Sequence, residues 1–504
     1  MPSIADRLHL HATTRPDAIA LRTLEEAITY GELASRSCAY SHLLRAAGIG
    51  AGDRVLLVAP TVPEFAIAYL ATQYLGAIAI TMNPMAVAPE IGYVLDDSDA
   101  TAAVVWHETR TATEQAASRR ALPVLRLAPG VGTESGTPAT APVQRRDDDT
   151  AVLLYTSGTT GAPKGVQLTV ANLLDTARIF STQLRLTPDE RFGTGLPLFH
   201  VFGQAAGLLT ALHTGCSLSL LSPFQPRAML ELIREHRLTM VSGVPTMWNA
   251  MLHDAVDFGP DDLRSLKLAA SGGAALPGEV IRAFTQRFGC TILEGYGLTE
   301  SSSAGTYNPL DREQRVGSVG IPLPGTALEI RDPDGTVLPS DAVGEIFLRG
   351  PGIMKGYWNR PEATAADLVD GWLRTGDLGR VDADGYVYIV DRAKDLIIRG
   401  GYNVYPSEVE DVLYRHPDIL EAAVIGVPDE RYGEEVAALV VAAPGSAPDP
   451  DALRRWAKER LSAYKVPHRF AFVGELPKGA TGKILKRAID PARFPELSAR
   501  ADHS

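Results

Sequence analysis

Leu153-Leu154-Tyr155-Thr156-Ser157-Gly158-Thr159-Thr160-Gly161-Ala162-Pro163-Lys164-Gly165-Val166 is the stretch on which the reading of this chain turns. The apolar run 151–155 has the composition of a buried strand. It gives way to ten residues, 156–165, that hold four hydroxyls, three glycines, one proline and one lysine. Such a segment suits a polyphosphate: Gly158, Gly161 and Gly165 let the backbone turn its N–H groups inward, Thr156, Ser157, Thr159 and Thr160 add hydroxyl donors, and Lys164 adds a mobile positive charge. It is not the Walker pattern, because Lys164 precedes a glycine rather than Ser or Thr and the glycine spacing differs. A solvated Gly/Thr turn is the plainer alternative, and the density of donors directly after a strand argues against it.

Outward from this stretch, the chain alternates strands and helices. Upstream, an amphipathic helix opens the chain, followed by strands at 18–22 and 28–30, a helix at 30–47, a strand at 54–58, a helix near 62–75 and strands at 77–81, 104–106 and 123–127. Strand, helix, strand with short turns predicts parallel sheets covered by helices. The Gly-, Pro-, Thr- and Asp-rich segment 129–149 reads as a loop. Downstream come a helix at 170–184, strands at 191–196, 216–221, 240–243, 266–270 and 292–294, and helices at 204–212 and 226–237. The alternation repeats, so two similar layered halves are expected.

Four of the downstream strands end in segments rich in polar or glycine residues: Pro197-Leu198-Phe199-His200-Val201-Phe202-Gly203, Val244-Pro245-Thr246, Ser271-Gly272-Gly273-Ala274 and Glu294-Gly295-Tyr296-Gly297-Leu298-Thr299-Glu300-Ser301. Ligands bind outside the carboxyl ends of parallel strands. Gly272 and Gly273 allow close approach of a flat base, Tyr296 offers a ring to stack on it, Thr299 a hydroxyl and Glu300 an oxygen ligand for magnesium. His200, flanked by apolar residues, taken alone reads as a packed core histidine. From about residue 316 the chain shifts to short Gly- and Pro-punctuated strands that suggest a small barrel-like layer. There Asp377 suits a pair of ribose hydroxyls, or simply caps a turn. The charged run 391–395 precedes a strand and the Gly400-Gly401 pair and marks a boundary: residues 1–391 form a large N-terminal unit, 392–395 a connection, and 396–504 a small α+β unit with a helix beginning at Glu408, capped by Ser407. That unit ends on a glycine-flanked lysine, Lys483, held out on a turn.

Composition narrows the classes. At 504 residues, more than one domain is expected. The formal charge of -12 excludes an overall basic face of the kind nucleic acids require. Cys38, Cys216 and Cys290 lie far apart without metal-ligand spacing, which fits neither a disulfide framework nor a zinc site and suits a reducing cytoplasm. No run of about 18 apolar residues could cross a bilayer, so no integral membrane association is expected. Only nine of the 48 Lys and Arg residues are lysines, and none precedes Lys164, so those that remain are candidates for places where a primary amine matters.

The ordered set Tyr155–Gly165, Pro197-Leu198-Phe199-His200, Gly295–Glu300, Arg374-Thr375-Gly376-Asp377, Asp391–Asp395 and Thr481-Gly482-Lys483 resembles the signature motifs of the adenylate-forming superfamily, and most closely its acyl-CoA synthetases. The resemblance covers residues 3–487. It implies an α/β enzyme with a large layered N-terminal domain and a small mobile C-terminal domain. The enzyme would use ATP, Mg2+ and coenzyme A to turn a carboxylic acid into an acyl-adenylate and then a thioester.

Carried over residue by residue, the resemblance places the phosphates on Thr156, Ser157, Gly158, Thr159, Thr160, Gly161 and Lys164. The adenine lies beside Gly272, Gly273, Ala274, Glu294, Gly295, Tyr296 and Gly297, the ribose on Asp377 and Arg392, and the α-phosphate near Thr299. Magnesium falls to Glu300, the bridging cation of the first step to Lys483, the hinge to Lys394 and the pantetheine tunnel to Gly400 and Gly401. His200 would guard the junction of that tunnel with an acyl pocket lined by Val201, Phe202, Gly203, Ser301 and Ser302.

The neutral character of that wall disfavours a dicarboxylate and suits a medium or long fatty acid, or a bulky apolar acid of secondary metabolism. The partners implied are the acid and coenzyme A, and a homodimer is compatible. Loading of a carrier protein, or catalysis of one half-reaction alone, are the alternatives that the motifs leave open.

Overall fold

In the computed structural model, residues 3–133, 141–156, 162–254, 257–392, 395–479 and 482–494 are described. Ser157, Gly158, Thr159, Thr160, Gly161 and Lys394 lie outside them, so the assignments made to those residues have no structural account here.

Four sheets organise the chain. The first has seven strands in the order 356–357, 164–169, 150–156, 78–82, 54–58, 102–106, 124–127. Its strands from 150–156 to 124–127 run parallel. The second has nine, in the order 321–322, 306–307, 292–296, 268–271, 240–243, 191–194, 217–220, 19–22, 27–29, parallel from 292–296 to 19–22. These are the two expected layered halves. The helix Pro63–Tyr74 is buried along its whole length. A helix apolar all round has no solvent face, and its composition, Phe65, Ile67, Tyr69 and Leu70 among small residues, suits that position. Its one acid, Glu64, is neutralised by Arg36 at 3.2 Å.

The lysine end of the phosphate-binding stretch departs from the sequence expectation. Instead of leading directly into a helix, Lys164–Thr169 returns antiparallel along Thr150–Thr156, with Lys164 opposite Thr156. Thr169 then caps the helix Val170–Gln183 by accepting from the Asn172 N–H at 3.1 Å. Alternating periodicity over six residues gives too little signal to distinguish such a strand from a turn. The segment expected as an ordinary helix at 204–212 begins as a π-helix, Phe202–Leu209, and continues as an α-helix, Thr210–Thr214.

The short strands beyond residue 316 form an antiparallel sheet, 327–331, 344–349, 372–381 and 368–369, with 387–392 also pairing 372–381. Among the described residues no pairing closes it, so the barrel-like layer is an open sheet. The last sheet is built on the long hairpin Ile419–Asp429 and Gly433–Ala442, flanked by 397–399, 402–404 and 469–472. Its first helix is Pro406–Tyr414, beginning two residues earlier than expected. Ser407 does not cap it. The Ser407 N–H instead donates to Asp391 Oδ2 at 3.0 Å, so a carboxylate from the preceding sheet meets the helix N-terminus. All three cysteines are buried, and no helix among the described residues is long and apolar enough to cross a membrane.

Candidate active site

The carboxyl ends of strands 191–194, 240–243, 268–271 and 292–296 lie side by side because these strands are adjacent and parallel. The loop carrying His200 is sewn to the other large sheet. The Leu198 N–H donates to Thr61 Oγ1 at 3.0 Å, and the Thr81 hydroxyl donates to the Phe199 carbonyl at 2.9 Å. His200 Nδ1 accepts from the Phe202 N–H at 3.3 Å. Burial, with the charge of Lys483 behind it, lowers the imidazole pKa to about 4. A neutral ring that accepts at Nδ1 carries its proton on Nε2. The charge of a lysine nearly 300 residues downstream thus bears on His200, and the Thr246 hydroxyl holds the turn that presents this lysine by donating to the Gly482 carbonyl at 3.0 Å.

On the opposite side of the site, Thr156 Oγ1 and the Tyr357 hydroxyl lie 3.3 and 3.2 Å from Glu300 Oε1. Burial pushes the Glu300 carboxyl above its usual range. Lys164 Nζ sits 3.6 Å from Asp367 Oδ2 and 4.7 Å over the Tyr357 ring, so this cation is held rather than mobile. Tyr357 and Asp367 are the residues that sequence reasoning missed. Tyr357 belongs to a two-residue strand, which leaves no periodic trace, and Asp367 ends a short helix whose charges look like ordinary solvated surface. Glu300 fits a magnesium ion. It is one hard, partly desolvated carboxylate beside a phosphate-binding loop, and Mg2+ is commonly held by one or two carboxylates plus substrate phosphates. Among the described residues there is no cluster of three or more His, Cys, Asp or Glu that would form an all-protein cage.

Tyr296, Asp377 and Arg392 form one connected unit. The Tyr296 hydroxyl donates to Asp377 Oδ2 at 2.7 Å, Arg392 Nε lies 3.4 Å from Oδ1, and Asp377 pairs with Arg392 across adjacent strands. The ring of Tyr296 is thus fixed by its own hydroxyl. Gly272 is small because Phe202 lies 3.2 Å from where its Cβ would be, and Gly273 adopts φ +82°. Thr299 opens a short 3-10 turn that also carries Glu300 and Ser301.

Several expected pocket residues are occupied by the fold itself. Glu294 is buried, its Oε1 accepts from the Leu276 N–H at 3.1 Å, and burial pushes its carboxyl up to about 8. A Cβ on Gly297 would strike the Ser303 backbone at 2.4 Å, one on Gly203 the Pro197 carbonyl at 2.4 Å, and one on Gly295 the Tyr307 ring at 2.7 Å. Val201 packs into the main core. Ser301 and Ser302 are fully buried, with hydroxyls bonded to the Leu298 and Gly352 backbones. Phe202 alone of the named acyl-pocket residues joins a separate apolar group, with Leu196, Val244, Met247 and Phe224, next to His200. Gly400 and Gly401 occupy an exposed hairpin turn between strands Ile397–Arg399 and Tyr402–Val404, both at positive φ, with nothing within 4 Å of a Cβ at Gly401. In this orientation of the molecule they line no channel.

Taken together, the site offers cations and hydroxyls for a polyphosphate, a fixed aromatic beside an acidic ribose-type partner, and an apolar group of side chains beside a neutral histidine. The AMP-binding enzyme family matches residues 8–358, and the C-terminal domain of the same enzymes matches residues 408–483. The chain belongs to the AMP-binding enzyme family.

A feruloyl-CoA synthase of Amycolatopsis is 40% identical over 482 residues, covering 95% of this chain and 96% of the relative. A long-chain-fatty-acid–CoA ligase of Bacillus subtilis is 35% identical, covering 94% and 91%. The ATP-bound crystal structure of MatB from Rhodopseudomonas palustris superposes with a TM-score of 0.90 at 33% identity, covering 96% of this chain and 97% of that one. The class is that of the AMP-forming acid–thiol ligases, which work with ATP, magnesium and coenzyme A.

Proposed function

We propose that this chain activates a neutral carboxylic acid, either a medium or long fatty acid or a bulky apolar aryl or terpenoid acid, as its adenylate and transfers the acyl group to coenzyme A. The observation that carries this reading is the hydrogen bond that seats the Lys483 turn on Thr246, just beyond the strand 240–243 that neighbours the strand leading to His200. Joining a carboxylate to the α-phosphate of ATP brings two anions together. A cation placed at their junction and absent from bulk water lowers that barrier more than any other single feature.

In the proposed assignment Lys483 bridges the carboxylate and the α-phosphate, and Thr299 donates to the same phosphate. Lys164 and Thr156 hold the terminal phosphates, with Lys164 exchanging its contact with Asp367 for a phosphate oxygen. Glu300 would hold magnesium, which would supply positive charge beside the phosphate oxygens. Tyr296 and Gly272 flank the adenine, and Asp377 and Arg392 hold the ribose. The apolar group of Leu196, Val244, Met247, Phe202 and Phe224 supports the assignment of the acid's tail, since it supplies no cation for a second carboxylate.

Once the adenylate has formed, Lys483 obstructs the approach of a thiol. The second step is assigned to a rotation of residues 396–504 about 392–395 that withdraws the lysine and brings Gly400 and Gly401 to the site. Short element-terminal segments absorb rotations of this kind. The test is carboxylate-dependent exchange of labelled pyrophosphate into ATP over a panel of acids, paired with thioester formation from synthetic acyl-adenylate and coenzyme A. Exchange is expected with apolar acids and not with malonate. Lys483→Ala is expected to abolish exchange and to retain thioester formation. Equal loss of both half-reactions removes Lys483 from its assigned role. Thioester formation without exchange for any acid limits the chain to the second half-reaction.

A further inference from the structure

The lysine three residues beyond Lys483 has no part in the chemistry described so far. In a chain with only nine lysines among its 48 Lys and Arg residues, its placement is informative. Lys486 begins the 3-10 turn Lys486–Ala488, and its Nζ lies 2.7 Å from Glu410 Oε1 in the middle of the helix Pro406–Tyr414. Glu410 also accepts from the Val424 N–H at 2.7 Å, which fixes the carboxylate to the long hairpin. The charges of Asp391 and Asp395, which flank the connection between the two parts of the chain, bear on Lys486 as well. Asp391 is in turn bonded to the N-terminus of the same helix through the Ser407 N–H. Through Glu410, Lys486 is thus tied to the helix whose N-terminus the last strand of the large part holds.

A second contact braces the same turn from its other end. Lys478 Nζ lies 2.9 Å from Glu421 Oε1, and the Gly479 N–H donates to the Lys483 carbonyl at 2.8 Å. The turn that offers Lys483 is therefore anchored on both flanks to the small part, and on the Lys486 flank to the helix whose N-terminus Asp391 meets.

We infer that Lys486 is a positioning residue: through Glu410 and the helix that Asp391 holds, it fixes the Lys483 turn against Thr246 of the large part in the orientation that forms the adenylate, an orientation given up when the small part rotates. This rests on the two-step ligase reading.

The test uses the full chain with Lys486→Met, which keeps the stem and removes the charge, and Lys486→Arg, with thermal unfolding to establish that each is folded. Lys486→Met is expected to lower pyrophosphate exchange by about tenfold or more while changing thioester formation from synthetic acyl-adenylate by less than about twofold, the scale expected when a charge-assisted hydrogen bond is lost in one orientation only. Lys486→Arg is expected to restore part of the exchange rate. Losses of equal size in both half-reactions, or no change in either, overturn the inference.

A readout without substrate separates this outcome from failure of the ligase reading itself. Spin labels on cysteines replacing the exposed Glu25 and Glu430 report the distance between the two parts, and the native cysteines are buried. Removing the pin is expected to shift or broaden that distance distribution. An unchanged distribution in Lys486→Met overturns the pin even for a protein that forms no adenylate.

Discussion

Glu294 shows how a residue can stand inside a binding motif and serve the fold instead. Its side chain is buried beneath the strand end that carries Tyr296, where it meets the Leu276 N–H. Burial raises its folded pKa to about 8, above the value of 4.5 for an open chain. The sign follows from linkage. The folded form holds a proton that the unfolded form has released, so the stability associated with the group is full below pH 4.5 and is lost as pH rises toward 8. At pH 7 the loss is about 3 kcal/mol. Glu294→Gln keeps the acceptor and removes the titration. The melting temperature of the variant is therefore expected to vary less with pH between 5 and 8 than that of the parent, and to exceed it at pH 8. Parallel melting curves across that range would show that Glu294 does not carry the burden assigned to it. His200 is the converse case, neutral by burial and by Lys483, and so uncharged at physiological pH.

At the scale of elements, the turn at Gly400 and Gly401 separates two explanations for the same glycines. Positive φ at both positions, +56° and +85°, already favours glycine in a two-residue hairpin, whatever approaches it later. Asparagine tolerates that conformation and leucine does not. Gly401→Asn is expected to fold with little loss, and Gly401→Leu to lose about 1–2 kcal/mol of stability from backbone strain. If the turn also borders the thiol path after rotation, Gly401→Leu lowers thioester formation at least about tenfold relative to pyrophosphate exchange, a gap that strain alone does not produce. Equal effects on the two rates would leave the hairpin as the whole explanation.

Elements of this kind also mark how far the sequence could be read. The parallel strands and the helix Pro63–Tyr74 were legible, because long apolar runs punctuated by glycine have few other solutions. The strand Lys164–Thr169 was not, and beyond residue 316 the short strands were read but not their open pairing, since antiparallel pairs depend on partners far along the chain. Among the residues of the compact motifs, Glu300 lies beside Thr156 and Asp377 beside Tyr296. Ser301, Ser302 and Gly203 adjoin those motifs in sequence but face inward, and adjacency along a chain carries no information about the direction of a side chain once the strand has ended.

At the scale of the whole molecule, the contacts seen between the large and small parts are narrow and polar. Thr246 to the Gly482 carbonyl, Asn249 to the Leu420 carbonyl at 3.2 Å, and the Asp391 bond to Ser407 are all hydrogen bonds that water can replace. Hydrogen bonds exchanged for water change free energy little, which suits the rotation proposed for the second step. The same property explains why the arrangement was hard to infer from sequence: a surface built to separate carries no apolar stripe.

The placement of the three cysteines has a consequence for chemical self-protection. An enzyme of this class makes an activated acyl group and handles a foreign thiol, so any accessible thiolate of its own would be acylated or drawn into mixed disulfides with its substrate. Cys216 and Cys290 are buried, and burial pushes their thiols up to about 12 and about 11; Cys38 is buried as well. Thiolate, not thiol, is the nucleophile, so Cys216 and Cys290 are unreactive at neutral pH, while burial shields Cys38 from reagents. The folded protein is expected to consume almost no Ellman's reagent within minutes, to consume three equivalents once unfolded, and to keep full activity without added reductant. Rapid reaction of the folded chain would contradict this, and would mean that the catalyst is consumed by its own intermediate.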